Sequence, residues 1–304
     1  MATHVRAHVA LPRKARSWEM RPARSSALGV VVEFAQKRTL GALGAVVIVL
    51  MLVTAALAGV IAPHDPYETS FLDQLKPPSG DNLLGTDAFG RDVLSRLIYG
   101  SRTALKIGFG AAVAGASLGA LLGVVSAYFG GKVDLLLERL MDILISFPLL
   151  ILALAVVTAV GNNDTNVILA ITVPIIPRVA RVIRASGLTI RQMMYVEAAR
   201  CIGAGHARIV LRHMLPNVMA PYLILLTAFL GQAMLSEAAL TFLGLGVAEP
   251  TPAWGLMLRG ASVQFIERAP WLAIAPGLAL SIAVFSFNLL GDSLRDALDP
   301  RLRI

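Results

Sequence analysis

The sequence predicts an all-α integral membrane protein with six transmembrane helices. The 304 residues are 56% hydrophobic and only 15% charged, and their mean hydropathy is +0.71. About 30 Å of hydrocarbon is crossed at about 1.5 Å per residue, so an apolar run of about twenty residues is a candidate membrane helix. Six runs meet this description: 40–62, 107–127, 143–160, 167–185, 216–238 and 271–290.

Charge patterning predicts how these helices are oriented. The predicted order is a basic tail, a first membrane helix, an outer loop, a five-helix core and a short second tail, at 1–39, 40–62, 63–102, 103–291 and 292–304. With the amino terminus inside, 20 of the 27 lysines and arginines are cytoplasmic, whereas acidic residues divide almost evenly. Cytoplasmic loops are enriched in Lys and Arg. We therefore expect a multi-pass protein of the cytoplasmic membrane with both termini inside. Its net charge of +8 is explained by the Lys and Arg on the cytoplasmic side, so no nucleic-acid partner is expected.

The longest inner loop lies between the fourth and fifth runs. Two short helices are predicted at 195–202 and 206–214, separated by Gly203-Ala204-Gly205, where glycine permits a sharp change of direction. Helices of about two turns are marginal in water, so they need a surface on which to dock. Ala198, Ala199 and Ile202 would give the first helix a small-residue patch, and the like charges of Arg208 and Arg212 suit an acidic or phosphate-bearing partner.

This loop carries a family resemblance. Glu197-Ala198-Ala199, then Gly203, Ile209 and Leu215-Pro216 resemble the "EAA…G…I.LP" loop of ABC importer permeases. The resemblance implies a type I ABC importer permease fold, in which loop 191–216 forms cytoplasmic coupling helices against an ATPase; we refer to it as the coupling loop. The expected coupling residues are Glu197, Ala198, Ala199, Ile202, Gly203, Arg208, Ile209, Leu215 and Pro216.

A narrower resemblance runs from about residue 35 to the end. The segments "LLGTDAFGRDVLSRLIYGSR", "SEAALTFLGLGVAEPTPAWGLML" and "FNLLGDSLRDALDPRLR" are similar to the dipeptide/oligopeptide/nickel permeases, in particular the DppC/OppC-like second subunit. The resemblance implies import of dipeptides or short oligopeptides, with nickel or another small solute as the alternative. It further implies four kinds of contact: a second homologous permease, two ATPase subunits or one two-headed ATPase, an extracytoplasmic substrate-binding protein and the membrane.

The outer loop is predicted to receive that binding protein. Thr86 or Asp87 is expected to cap a short helix whose apolar side rests on the membrane. Arg91, Asp92 and Arg96 would then face water and complete the docking site with the two capping residues. The net acidity of 63–102 would offer further polar contacts.

Polar residues at membrane depth indicate a candidate translocation path, because such residues usually face a cavity or another helix. The candidates are Arg181, Gln232, Glu237 and Asn288. The glycines at positions 115, 119 and 123 form a small-residue face, suited either to a partner permease or to the protein's own bundle. The fourth run contains Pro174 and Pro177, which interrupt a helical pattern.

The chain is not expected to be an enzyme. Its five histidines and single cysteine lack metal-ligand spacing, no nucleophile motif or paired carboxylates lie within a span, and no G-x-x-x-x-G-K-[ST] motif occurs. We therefore predict no catalytic, metal or cofactor site, and expect ATP and Mg²⁺ on partner ATPase subunits. An ion-coupled secondary transporter is the first rival hypothesis and an intramembrane enzyme the second.

Overall fold

The computed structural model describes residues 36–260, 265 and 267–298. Most of the predicted amino-terminal tail and residues 299–304 of the second tail therefore lie outside the described residues. The chain divides into two units, Met1–Lys37 and Arg38–Ile304; the helices below belong to the second. They are α1 Thr39–Ala56, α2 Ala58–Ile61, α3 Val93–Phe129, α4 Gly131–Ile145, α5 Leu149–Val160, α6 Asp164–Arg191, α7 Met194–Cys201, α8 His206–Arg208, α9 Met219–Phe242, α10 Trp254–Gly260 and α11 Trp271–Leu298.

These helices confirm the all-α, six-span prediction. Five helices are long and apolar enough to cross a membrane, and α4 and α5, taken together as one bent span, bring the number of candidate spans to six. Over the described residues the only β-type contact is an isolated bridge between Thr86 and Asp92. Helices α3, α6 and α9 supply most of the buried core, mainly through Ala, Val and Ile on α3 and α6 and through larger apolar side chains on α9.

Helix α3 begins well before the predicted start of its span at residue 107. Asp92 caps it, because the carboxylate accepts a hydrogen bond from the Ser95 amide at 2.7 Å. The helix has 37 residues, which corresponds to about 55 Å, longer than the hydrocarbon layer. The helix therefore includes residues 93–102 of the predicted outer loop, and the non-helical part of that loop ends at Asp92.

The predicted third span, 143–160, is also wrong at its start. Helix α4 ends at Ile145, α5 begins at Leu149, and the two meet at 92°. Pro148 explains the break: it has no N–H for an intrahelical hydrogen bond, and it disfavours helical geometry at Phe147.

Helices α3 and α6 pack against each other along a glycine face. A Cβ added to Gly119 would lie 2.6 Å from the Ile176 carbonyl oxygen, and one added to Gly123 would lie 2.5 Å from that of Ala180. The small-residue face is therefore used within the bundle. Helix α6 continues through Pro174 and Pro177, as membrane helices do where neighbouring helices pack around them.

The ends of α1 and α11 meet at one end of the bundle. Arg38 donates to the Asp296 carboxylate and, at 2.9 Å, to the Asp296 carbonyl. Helix α11 continues past the predicted end of the sixth span at residue 290, as far as Leu298. Farther along α11, Gly291 lies against Thr227 of α9, the helix that follows the coupling loop. The first and last helices thus return to the coupling-loop end, while the outer loop lies at the opposite end.

Candidate functional site

The first arm of the coupling loop is the regular helix α7, as predicted within one residue. It ends in a Schellman motif: the Gly203 amide donates to the Arg200 carbonyl and the Ala204 amide to the Ala199 carbonyl, both at 3.0 Å. Gly203 has φ of +76°, which only glycine adopts without strain. Gly203 therefore sets the change of direction between the arms.

The second arm is less regular than predicted. Only α8 is α-helical; Ile209–Met214 is π-helical and Leu215–Val218 is a 3₁₀-helix. Pro216 accounts for part of this irregularity, because it has no N–H to donate to the Arg212 carbonyl. The α-helix of the fifth span consequently begins at Met219, not at 216.

Buried apolar residues anchor both arms to the bundle. Val196 and Ile209 are at most 1% exposed, and Ala199 is buried beside them. The predicted small-residue patch is therefore divided: Ala199 faces the bundle, whereas Ala198 and Ile202 face away. Two large apolar side chains, Met194 and Ile202, are 86% and 84% exposed. An exposed apolar surface of this kind is typical of a protein contact.

The remaining predicted coupling residues divide in the same way. Ile209 is an anchor and Leu215 is half-buried. Glu197 lies in the first turn of α7, where an acid favours the helix dipole, but it makes no capping hydrogen bond. The residues that a partner can reach are Glu197, Ala198, Ile202, Gly203, Arg208 and Pro216.

The predicted solvent-facing polar residues of the outer loop are buried, so that prediction is wrong. The helix predicted after Thr86 or Asp87 does not form as a separate element, because the segment from Val93 onward is the first part of α3. Arg91, Asp92 and Arg96 are 6%, 4% and 2% exposed, and Thr86 is also buried. Asp92 acts as the cap instead of Thr86 or Asp87, and its Oδ1 has no hydrogen-bond partner among the described residues.

Arg96 joins three segments at this end of the molecule. Its Nη1 donates to the Pro66 carbonyl at 3.0 Å and to the Pro250 carbonyl at 3.3 Å, and its Nε lies 3.7 Å from Asp87 Oδ2. Arg91 donates to the same carboxylate oxygen at 2.6 Å and lies 3.5 Å from Glu249. These side chains hold the outer loop and the segment before α10 onto α3.

The exposed surface of the outer loop is apolar and acidic. Phe71 and Leu72 are 77% and 92% exposed, and Asp65 and Glu68 lie nearby on the rim of a cavity of about 500 Å³. Within the same cavity, hydrogen bonds from Lys76 and then Ser70 hold the pKa of the Asp73 carboxyl below its usual value.

The candidate path residues do not form one group. Arg181 is exposed and pairs with Asp142 of α4. Glu237 is 1% exposed and accepts a hydrogen bond from Thr241 at 2.9 Å, so it lies in the packed interior instead of lining open space. Gln232 and Asn288 are exposed. They lie close together on α9 and α11, since Asn288 approaches the residue that precedes Gln232.

One polar cluster was not predicted. Arg184 of α6 makes two hydrogen bonds of 2.6 Å with the Asp134 carboxylate of α4, which also accepts from Ser126 of α3. The pair is separated by 50 positions, so spacing along the chain gave no signal. Among the described residues no group of three or more His, Cys, Asp or Glu side chains is arranged to hold a metal ion.

Comparisons with known proteins identify the family. Residues 115–304 match the model described as "Binding-protein-dependent transport system inner membrane component", and residues 36–78 match "N-terminal TM domain of oligopeptide transport permease C". A putative peptide transport system permease protein of Brucella suis biovar 1 is 42% identical over 262 residues, which cover 86% of this chain and 88% of that protein.

Two further relatives are similar over nearly the same region. The dipeptide transport system permease protein DppC of Alkalihalophilus pseudofirmus is 37% identical over 268 residues, 88% of each chain. The glutathione transport system permease protein GsiD of Escherichia coli O6:K15:H31 is 40% identical over 260 residues, 85% of this chain and 86% of that protein. The DppC/OppC-like resemblance is therefore confirmed, and the chain belongs to the family of binding-protein-dependent transport system inner membrane components.

Proposed function

We propose that this chain is a permease subunit of an ATP-driven importer that moves dipeptides or short oligopeptides across the cytoplasmic membrane. The observation that carries the proposal is the coupling loop, whose two short arms are anchored by Val196 and Ile209 while Glu197, Ala198 and Ile202 are left exposed. The names of the relatives, which describe peptide, dipeptide and glutathione permeases, support the substrate class.

Energy reaches the chain from outside. The sequence has no phosphate-binding G-x-x-x-x-G-K-[ST] motif, so ATP and Mg²⁺ belong to two ATPase subunits or one two-headed ATPase. ATP-driven closure of the ATPases moves the coupling loop, and α6 and α9, which flank it, tilt with it. The bundle then alternates between inward-open and outward-open states. The chain itself performs no chemical step.

The coupling-loop end faces the cytoplasm in this proposal. Lys and Arg are enriched on that side of the sequence, and the return of α1 and α11 to that end supports an inner location for both termini. The membrane is the cytoplasmic one, crossed six times.

A substrate-binding protein docks on the opposite end. Because the predicted residues Thr86, Asp87, Arg91, Asp92 and Arg96 are largely buried, we assign them to shaping the platform rather than to direct contact. The contacts come from exposed Phe71 and Leu72 and from the acidic rim beside them.

The path itself is completed by a second homologous permease. Exposed polar residues on a membrane helix are costly in lipid, so Gln232 and Asn288 are the candidates for facing the path or the partner permease. Nickel or another small solute is the alternative cargo. An ion-coupled secondary transporter finds no support in the family of the chain.

The test is uptake by the complete complex in right-side-out vesicles that contain ATP, using radiolabelled peptides of graded length and radiolabelled nickel. We expect ATP-dependent uptake of short peptides. Nickel uptake without peptide uptake would overturn the substrate assignment.

A matched glycine pair tests the coupling loop. Gly203→Pro cannot keep φ at +76° and loses the hydrogen bond to Arg200, so it should separate ATP hydrolysis from uptake while the chain still inserts into the membrane. Gly205→Pro is the control, because φ there is −64°, the value that proline prefers. Equal uptake by the two variants would contradict the assignment of the coupling loop.

A further inference from the structure

A cavity lies beside the coupling loop that the importer function does not use. Its volume is about 330 Å³, a size that suits a small ligand. The ends of α3, α6 and α7 and the start of α8 form its walls, through Tyr128, Phe129, Arg191, Arg200 and His206.

Two arginines face this cavity without a carboxylate partner. Arg191 donates to the Ala127 carbonyl at 3.2 Å, and Arg200 lies over the Tyr128 ring at 5.2 Å from its centroid. In the part of the chain that the structure describes, neither is in an ion pair, and no acidic side chain lines the cavity. The Asp134 carboxylate, which interacts with Arg191 at longer range, is already bound by Arg184. Most guanidinium N–H donors are therefore available to an anion.

The other walls suit a position at the membrane surface. Phe129 and Arg191 are the last residues of two candidate spanning helices, so the cavity lies at the coupling-loop ends of those helices. Phe129 is 47% exposed, while the buried Tyr128 hydroxyl lies 2.7 Å from His206 Nδ1. Aromatic rings and arginines are enriched at this level of a bilayer.

We propose that this cavity binds the phosphate group of an anionic phospholipid from the inner leaflet. Two guanidinium groups match a phosphate in charge and geometry, and basic pockets between membrane helices on the cytoplasmic side are known to take anionic head groups. Helix α4 begins at Gly131, next to the cavity, and exposes Leu135 and Leu136, an apolar surface for the acyl chains. The choice of the inner leaflet rests on the proposed orientation of the importer.

The bound lipid would stiffen the coupling loop. Arg200 belongs to α7 and Arg191 to the end of α6, so one phosphate held by both ties the first arm of the loop to the bundle. The apolar face exposed to a protein partner, formed by Met194 and Ile202, stays free.

The test is lipid retention by the complete complex, measured by native mass spectrometry with phosphatidylglycerol or phosphatidylcholine added in detergent. We expect phosphatidylglycerol to be retained and phosphatidylcholine to be lost. Because each arginine supplies one charge to the phosphate, Arg191→Gln with Arg200→Gln should weaken phosphatidylglycerol binding about 30-fold. Arg191→Lys with Arg200→Lys should keep most of it.

The matched control is Arg208→Gln with Arg212→Gln, which removes two exposed arginines of the same loop that do not line the cavity. Equal weakening in both Gln pairs would overturn the site, as would equal retention of the two lipids. Displacement of the lipid by inorganic phosphate or glycerol phosphate would assign the cavity to a soluble anion instead. Exclusion of lipid whenever the ATPase is bound would assign it to an acidic side chain of that partner. The readout needs no transport, so failure of the lipid site and failure of the importer proposal can be distinguished.

Discussion

Replacing Arg96 by methionine tests how the outer end of the molecule is held. Arg96 is 2% exposed, and its guanidinium satisfies the carbonyls of Pro66 and Pro250 from two separate segments. Methionine keeps much of the apolar stem but none of the donors. The Pro66 carbonyl is buried and that of Pro250 is partly buried, and a buried carbonyl left without a partner costs about 1–3 kcal/mol. Asp87 keeps its hydrogen bond from Arg91. We therefore expect a total destabilisation of about 3 kcal/mol, in the lower half of the range for two carbonyls.

That destabilisation should appear as local opening of the outer loop. About 3 kcal/mol corresponds to a hundredfold or so more frequent opening, since about 1.4 kcal/mol is a factor of ten. The amide protons to follow are those of Leu75, which donates to Asp87 at 3.1 Å, and Thr86, which donates to Lys76 at 3.0 Å. Hydrogen exchange with mass spectrometry on the purified complex measures both.

Arg102→Met is the matched control for this experiment. Arg102 lies on the same helix and also donates to two carbonyls, those of Ala55 and Ala56, but it is exposed. Water can therefore replace its hydrogen bonds, and the effect should stay below about tenfold and near the end of α1. Unchanged exchange at Thr86 in Arg96→Met, or equal effects of the two variants, would contradict the role of Arg96 in holding the outer loop and the segment before α10 onto α3.

Three further changes test the coupling loop and the bundle. Glu197→Lys should weaken recruitment of the ATPase, and co-elution at the wild-type level on gel filtration in detergent would speak against that role. Gly119→Ala should lower thermal stability by about 1–3 kcal/mol, because its Cβ would lie 2.6 Å from a carbonyl oxygen of α6; Gly277→Ala, with its nearest neighbour at 3.9 Å, should be nearly neutral in the same melt. Asp134→Asn and Arg184→Gln should each destabilise by about 1–3 kcal/mol. The double variant should fall short of their sum, and simple additivity would contradict a direct pair.

Hydropathy was sufficient to predict the six spans, but not where their helices begin and end. Residues 93–106 of α3 mix polar and apolar side chains, and they are helical because they pack against the outer loop and the segment before α10. That packing depends on partners such as Pro66 and Pro250, which are 30 and 154 positions away. Pro148 did carry a local signal for the bend between α4 and α5.

The coupling loop was easier to predict than the outer loop. Its geometry depends on local rules: Gly203 ends α7, and Pro216 disturbs the second arm. The prediction that Arg91 and Arg96 face water failed because most of the groups that pair with them or accept their hydrogen bonds come from residues distant in the sequence. Only Asp87, four positions before Arg91, gave a hint along the chain. The division of Ala198 and Ala199 between two faces likewise depends on how α7 docks.

The proposed function requires the coupling loop to receive force from an ATPase, and Cys201 allows their contact to be measured directly. It is the single cysteine of the chain, and it is exposed at the end of α7. A short bifunctional thiol-to-amine reagent, applied to membranes that contain the complete complex, should link Cys201 to the ATPase, with a yield that changes on ATP binding. Cys201→Ser with Arg102→Cys moves the thiol to the outer-loop end and should link no ATPase. Capture of the ATPase from position 102, or none from Cys201 in an intact complex, would contradict contact between the coupling loop and the ATPase.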